Sequence, residues 1–245
     1  MHSFMDRKAI IMGASSGIGL EVAKLLLADG WHLGIAARRE QQLLDLKALA
    51  PDCIEAMAID VTKSDASELL LSLIEKLGGM DLYFHASGIG KQNRTLEPDI
   101  ELQTMETNAF GFTRMIGTAY RYFAERGGGH IAAITSIAGT KGLGPAPSYS
   151  ATKALQSSYL QALEQQAHQR SLNIRFTDIR PGFVDTALLN GSFHYPMLMK
   201  PKTVARDIVH SIYRGRHMRV IDCRYRILTF FWRRIPRWLW RKIKL

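Results

Sequence analysis

A chain of 245 residues that is 47% hydrophobic and 22% charged can bury a core of its own, which excludes the disordered, collagen-like and coiled-coil classes. The net charge of +10 is unevenly placed: eleven of the 32 Lys and Arg lie between Arg214 and Leu245 beside one acid, Asp222, leaving 21 basic and 21 acidic residues for positions 1–213. Three of the four tryptophans, Trp232, Trp238 and Trp240, share that basic end. The two cysteines, Cys53 and Cys223, match no CxxC or Cys/His ligand spacing, which predicts reduced thiols, no metal site and a cytoplasmic setting. The opening MHSFMDRKAIIMGAS reaches a strand-like run without an apolar stretch of signal-peptide length, so export is not expected.

No internal repeat or Ser/Gly linker divides the chain. Short apolar or β-branched runs alternate with longer segments of helical period, the pattern of βαβ units. Strands are predicted at Ala9 to Met12, His32 to Ala36, Ile54 to Ile59, Leu82 to His85, His130 to Thr135, Asn173 to Ile179 and Met218 to Ile221. Helices are predicted over Ile18 to Ala28, stopped by Asp29-Gly30, and Ser64 to Leu77, stopped by Gly78-Gly79. The fold class is therefore α/β, a doubly wound and mostly parallel sheet in a single domain over residues 1–223, with a substrate lid near 187–213 and a basic tail over 224–245. Ligands of such sheets bind beyond the carboxyl ends of the strands, so residues just after each strand are the site candidates.

The first strand runs into Gly13-Ala14-Ser15-Ser16-Gly17-Ile18-Gly19 and then a helix. Glycines let the backbone turn tightly against a pyrophosphate, and the free N–H groups and dipole of the helix end attract its charge. At the end of the second strand, where a chain selective for NAD usually offers an acid to the ribose 2′-hydroxyl, stand Ala37, Arg38 and Arg39. An arginine there pairs with a 2′-phosphate and stacks on the adenine, which favours NADP(H), with NAD the weaker ligand. His85, at the end of the fourth strand, is expected to be a satisfied structural group.

Ser136 closes the fifth strand, and Tyr149 lies thirteen residues beyond it at the start of a long helix, with Lys153 one turn further on the same face. A phenol loses its proton near pH 10, too high for easy exchange, and a neighbouring ammonium lowers that value. Such a Tyr protonates a ketone oxygen or deprotonates an alcohol, while Ser136 donates a hydrogen bond to the same oxygen.

The GxxxGxG spacing of the turn, the upstream Ser and the YxxxK pair together resemble the short-chain dehydrogenase/reductase family, whose turn reads TGxxxGIG. The resemblance extends almost motif by motif to about Arg214, with Met12 in place of the usual Thr. It implies a Rossmann-like fold, an oxidoreductase and an Asn-Ser-Tyr-Lys group of Asn108, Ser136, Tyr149 and Lys153, in which Asn108 sits in a distorted helix turn and helps a water connect Lys153 to solvent. It further implies cofactor contacts from Gly13, Ser15, Ser16, Gly17, Ile18, Gly19, Arg38, Arg39, Tyr149 and Lys153. Asp60 and Val61 would lie at the adenine, Gly88 where the backbone passes the cofactor, and Pro181, Gly182, Val184 and Thr186 at the nicotinamide and phosphate. His85-Ala86-Ser87-Gly88 departs from the family's Asn-Asn-Ala-Gly, so two sheet-steadying asparagines are missing.

The loops that carry substrate in this family read Lys141 to Pro147 and Ala187 to Met199, the second apolar and rich in methionine. They favour an apolar carbonyl or alcohol over a sugar, although the same residues also suit a core. The tail is too short in its apolar run to span a bilayer. Its Trp and Leu among Arg and Lys around Pro236 suit one or two amphipathic helices on an anionic membrane, or else a cover over the site or a subunit contact in a dimer or tetramer. Nucleic acid is not an expected partner. A competing reading is a non-catalytic nucleotide-sensing or scaffold protein that binds through the tail, against which the four-residue group counts. Epimerase relatives carry a larger carboxyl-terminal substrate domain than this chain has room for.

Overall fold

The structure, a computed structural model, describes residues 7–189 and 195–243; Phe193 of the expected lid lies outside them. The described chain runs β1 (Lys8–Met12), α1 (Gly17–Ala28), β2 (His32–Ala37), α2 (Glu40–Lys47), β3 (Ile54–Ala58), α3 (Ala66–Leu77), β4 (Leu82–His85) and α4 (Pro98–Met105). A wide π-helical turn (Glu106–Gly111) then leads into α5 (Phe112–Arg126), β5 (Gly129–Ile134) and a 3-10 turn (Ile137–Thr140). The rest is α6 (Pro147–Gln169), β6 (Ile174–Arg180), α7 (Pro201–Tyr213), β7 (Met218–Val220), α8 (Cys223–Trp232) and α9 (Arg237–Trp240). Each predicted strand is present, with ends that coincide or move by one residue.

All seven strands are parallel, in the order β3-β2-β1-β4-β5-β6-β7. A parallel sheet must be covered on both faces, which is why its strands are apolar almost throughout. One face buries Val22, Ala23 and Leu26 of α1 with Leu43 of α2 and Val204, Ile208 and Ile212 of α7. The other buries Leu70 and Leu73 of α3, Phe112, Met115 and Phe123 of α5, and Leu160 and Leu163 of α6. The strand order reverses where β1 lies between β2 and β4, so the two crossovers leave in opposite directions and open a crevice at the carboxyl ends.

The expected lid near 187–213 divides in two. Its second part is α7, whose buried face packs on α1 as part of the core. The described residues of its first part, 187–189 and 195–200, form no helix, and the segment is flanked by the short parallel bridge between Val184 and Met199.

The ring of Phe123 takes the space over β5 that a side chain at Gly129 would fill, since a Cβ there would lie 2.2 Å from it. Phe123→Ala removes that ring from a fully buried site and should cost about 3–5 kcal/mol of stability. Truncating the exposed Leu102 should change it by no more than about 0.5 kcal/mol; chemical denaturation of both variants checks the contrast.

Candidate active site

The glycine turn is forced by how closely two strand ends approach. Gly13 has φ +96°, and a Cβ on it would lie 2.7 Å from the backbone of both Ala86 and Ser87, so only glycine passes there. Its N–H donates to Ala36 O at 2.7 Å, which fixes the turn on β2. Ser16 precedes α1 in extended conformation without capping it, and the first turn of that helix carries no acid. The helix end therefore presents free N–H donors and positive dipole to the crevice.

Two arginines flank this end. Arg39 reaches across to the hydroxyls of Ser15 at 2.9 Å and Ser16 at 2.6 Å, so the second residue of the pair, rather than the first, adds charge to the glycine turn. Arg38 faces Asp60 after β3. Burial raises the Asp60 carboxyl, but hydrogen bonds from Thr62 and the charges of Arg38 and Lys63 outweigh it and hold it below its ordinary value. Val61 is buried against Gly111 and gives its carbonyl to Arg114 at 2.6 Å. Thr186 lies against Gly17, where a methyl would meet its Cγ2 at 3.3 Å, so the loop after β6 closes over the turn. Pro181 accepts from Ile137 N, Gly182 is covered by the Tyr225 ring and Val184 is buried. Ile18 is partly buried against the core.

The four polar candidates meet one strand further along. Asn108, fully buried in the π-helical turn, clamps the chain after β4. Its Oδ1 accepts from Ile89 N at 2.9 Å, and its Nδ2 donates to Ile89 O at 2.7 Å and Thr152 Oγ1 at 3.3 Å. Gly88 passes between Asn108 and Lys153, with room for a Cβ only 3.2 Å from Asn108 Oδ1. Gly90 runs under the Tyr149 ring, which a Cβ would meet at 2.7 Å. The Ser136 hydroxyl accepts from Ala138 N at 3.0 Å, leaving its own proton free to donate. Glu101 of α4 holds the start of α6 by accepting from Ser148 N at 3.0 Å, a carboxylate at a helix N-terminus next to Tyr149.

Burial raises the Tyr149 phenol above its ordinary value, and the Ser136 hydroxyl opposes that shift. Lys153 Nζ lies 5.8 Å from the centre of the Tyr149 ring. Burial pulls the Lys153 ammonium down to about 8 against the charge of Asp178, which raises it. Asp178 is itself paired with Arg180 at 2.6 Å.

Two residues outside the expected set complete the arrangement. Lys153 Nζ donates to Ile134 O at 3.1 Å and Gln156 Oε1 at 2.9 Å, and Gln156 Nε2 donates to Asn108 O at 2.8 Å. Gln156 is fully buried and links Lys153 directly to the Asn108 backbone. Its signal was a polar residue three beyond Lys153, on the same helix face. His85 is fully buried, hydrogen bonded through Nδ1 to Tyr83 at 3.0 Å and set edge-on to Phe112. Burial and the charge of Lys153 lower it to about 3, so it is neutral and packed in the sheet.

Residues 7–195 match the family described as short chain dehydrogenase. The chain is 32% identical over 222 residues to an uncharacterized oxidoreductase of Myxococcus xanthus, covering 88% of this chain and 87% of that protein. It is 31% identical over 217 residues to an uncharacterized oxidoreductase of Mycobacterium tuberculosis, 85% of each. It is 29% identical over 229 residues to one of Staphylococcus saprophyticus, 90% of this chain and 97% of that one. With the parallel sheet and the glycine turn at its strand reversal, the match places this chain in the short-chain dehydrogenase family, among oxidoreductases that bind a nicotinamide dinucleotide.

Proposed function

We propose that the protein is an NADP(H)-dependent oxidoreductase that interconverts a carbonyl and an alcohol, with Tyr149 as general acid and base. The observation that supports it best is the convergence of Ser136, Tyr149, Lys153 and Asn108 at the carboxyl ends of β4 and β5, one strand from the glycine turn. The partners on this reading are a small apolar carbonyl or alcohol, further copies of the chain in a dimer or tetramer, and an anionic membrane at the tail. No helix among the described residues is long and apolar enough to cross a membrane, and the proposed place of work is the cytoplasm, at a membrane surface.

The residues present fit a dinucleotide. The acid-free end of α1 and the side chain of Arg39 suit its pyrophosphate, and Arg38 suits a 2′-phosphate. When bound, the nicotinamide supplies or accepts hydride. Tyr149, kept protonated by burial, donates its proton to the substrate oxygen in reduction and takes it back in oxidation. Ser136 donates to that oxygen as charge develops. Lys153 holds positive charge beside the phenol, and Gln156 holds Lys153 by accepting from its ammonium, which favours the charged form.

Tyr149→Phe should lower kcat by about 10²- to 10⁴-fold while NADPH binding persists; substantial activity in this variant would refute the assignment. Ala37→Asp with Arg38→Leu should reverse the order of NADPH and NADH affinities, read by fluorescence titration, and tighter NADH binding to the unaltered protein would refute the preference. Because Lys153 loses its charge near pH 8, reductase activity should fall on the alkaline side around that value. Gln156→Leu removes an acceptor from the ammonium and should move this limb to lower pH, whereas Gln156→Glu should move it up. An unmoved limb in both variants would reduce Gln156 to a packing role.

A further inference from the structure

The basic tail has two faces. The inner face consists of Tyr225, Thr229 and Trp232 of α8, spaced four and three residues apart and buried or partly buried, together with Trp240 of α9. Pro236 turns the chain so that Trp232 and Trp240 meet with ring centres 5.3 Å apart. This face ties together the two substrate-side loops. Toward the loop after β6, Tyr225 Oη accepts from Phe183 N at 3.2 Å and donates toward Pro196 O at 2.8 Å. Toward the loop after β5, Trp240 Nε1 donates to Gly142 O at 2.8 Å, and Lys141 Nζ donates to Ile235 O at 2.8 Å. The second loop begins five residues before Lys141, at Ser136, and α8 packs directly on its 3-10 turn.

Among the described residues the outer face is largely open, with only the Arg234 guanidinium lying over the Phe230 ring at 3.6 Å. Ile227, Phe230, Phe231, Trp238 and Leu239 are between 40% and 63% exposed, a density of large apolar groups that a chain in water does not leave bare without a use. Cations alternate with them along the same two helices and the residues that flank them. Arg226, Arg233, Arg234, Arg237, Arg241 and Lys242 form no ion pair with another described residue, while Arg224 alone is paired, to Asp222. There is no acid after Asp222. Exposed aromatic and aliphatic side chains interspersed with cations that have no acidic partner among the described residues match a surface with apolar depth and negative headgroups, which is an anionic lipid bilayer.

We infer that the outer face of α8 and α9 docks on an anionic bilayer, and that the inner face thereby holds the substrate loops directly beneath the lipid surface, so that the substrate is an apolar carbonyl or alcohol dissolved in the membrane. The part about substrate rests on the oxidoreductase reading; the docking does not. Lys141–Ile235 and Trp240–Gly142 tie the outward-facing helices to the loop leading from Ser136. Each cation near the surface raises partitioning about fivefold, so the contact is reversible and weakens with salt.

The test uses the full-length protein, sedimented with phosphatidylcholine vesicles that contain or lack phosphatidylglycerol. Binding is expected only with phosphatidylglycerol, with release at high salt. Phe231→Ser with Trp238→Ser should weaken binding about tenfold or more without lowering the melting temperature, since both side chains are exposed, and Arg233→Gln with Arg237→Gln should weaken it chiefly at low salt. With NADPH, the Phe231→Ser, Trp238→Ser variant should match the parent on a short water-soluble ketone and lag behind it on a long-chain ketone carried in anionic vesicles. Full-length protein that ignores vesicles, or a variant that binds them as well as the parent, overturns the docking. A variant that instead turns a dimer into monomers while vesicles are ignored identifies the outer face as a subunit contact and overturns it too. Equal rates for parent and variant on the vesicle-borne ketone overturn the membrane substrate alone. Vesicle binding without turnover of any ketone defeats the oxidoreductase reading and leaves the docking intact.

Discussion

The buried ammonium of Lys153 constrains everything around it. An amine sealed in protein keeps its charge only where acceptors and negative charge surround it. Here they are Ile134 O, Gln156 Oε1 and, further off, the carboxylate of Asp178. Ile134 O is free to accept because β5 ends there, and Gln156 is held because the π-helical turn exposes Asn108 O to it. A regular α-helix would spend that carbonyl on its own ladder. The wide turn is thus the backbone's contribution to keeping a cation next to Tyr149, and it also orients the Asn108 side chain toward Ile89.

The same positive charge dictates what else can stand nearby. His85 is 0% exposed and lies within reach of the ammonium's field, so only the neutral imidazole is tolerated. Its depression to about 3, with His130 lowered to about 4 by burial and by Arg175, has a definite sign. Both groups bind a proton more readily unfolded than folded, so stability is lost as pH falls below the ordinary histidine value of about 6.5 toward those lower values. Lys153 has the opposite consequence at the other end. Its folded value lies below its unfolded one, so holding it charged costs stability at neutral pH, and that cost shrinks as pH rises from about 8 toward the ordinary lysine value of about 10.5. The site is kept ready for proton transfer at the expense of the fold that carries it.

The sheet was legible because its signals are local. Buried parallel strands read as apolar runs, and Gly78 or Gly30 marks where a helix must stop. The glycine turn, Ser136, Tyr149 and Lys153 were legible for the same reason, as each is fixed by the strand or helix it terminates or begins. What escaped is what depends on contact across the fold. Gln156 is an ordinary helical residue until α6 is laid against the π-helical turn. Arg38 and Arg39 are adjacent in sequence, yet the start of α2 sends one toward Asp60 and the other to Ser15 and Ser16. The expected lid near 187–213 includes α7, because composition does not distinguish a helix face that meets a ligand from one that meets α1.

The tail shows the same limit and how geometry removes it. Its sequence admitted a membrane contact or packing against the body as alternatives, since aromatic residues among cations serve either. Helical periodicity lets ten residues do both. Tyr225 and Thr229 point inward on one stripe while Ile227, Phe230 and Phe231 point out on the other. The inward stripe fixes how the outward one is presented, because Tyr225 Oη is held by backbone groups of the loop after β6 and its ring fills the space over Gly182. A change to that ring would therefore disturb the loop that covers the cofactor crevice as well as the surface that faces outward. Position along the chain put the tail beyond the family's motifs, and packing sets it against the loops after β5 and β6.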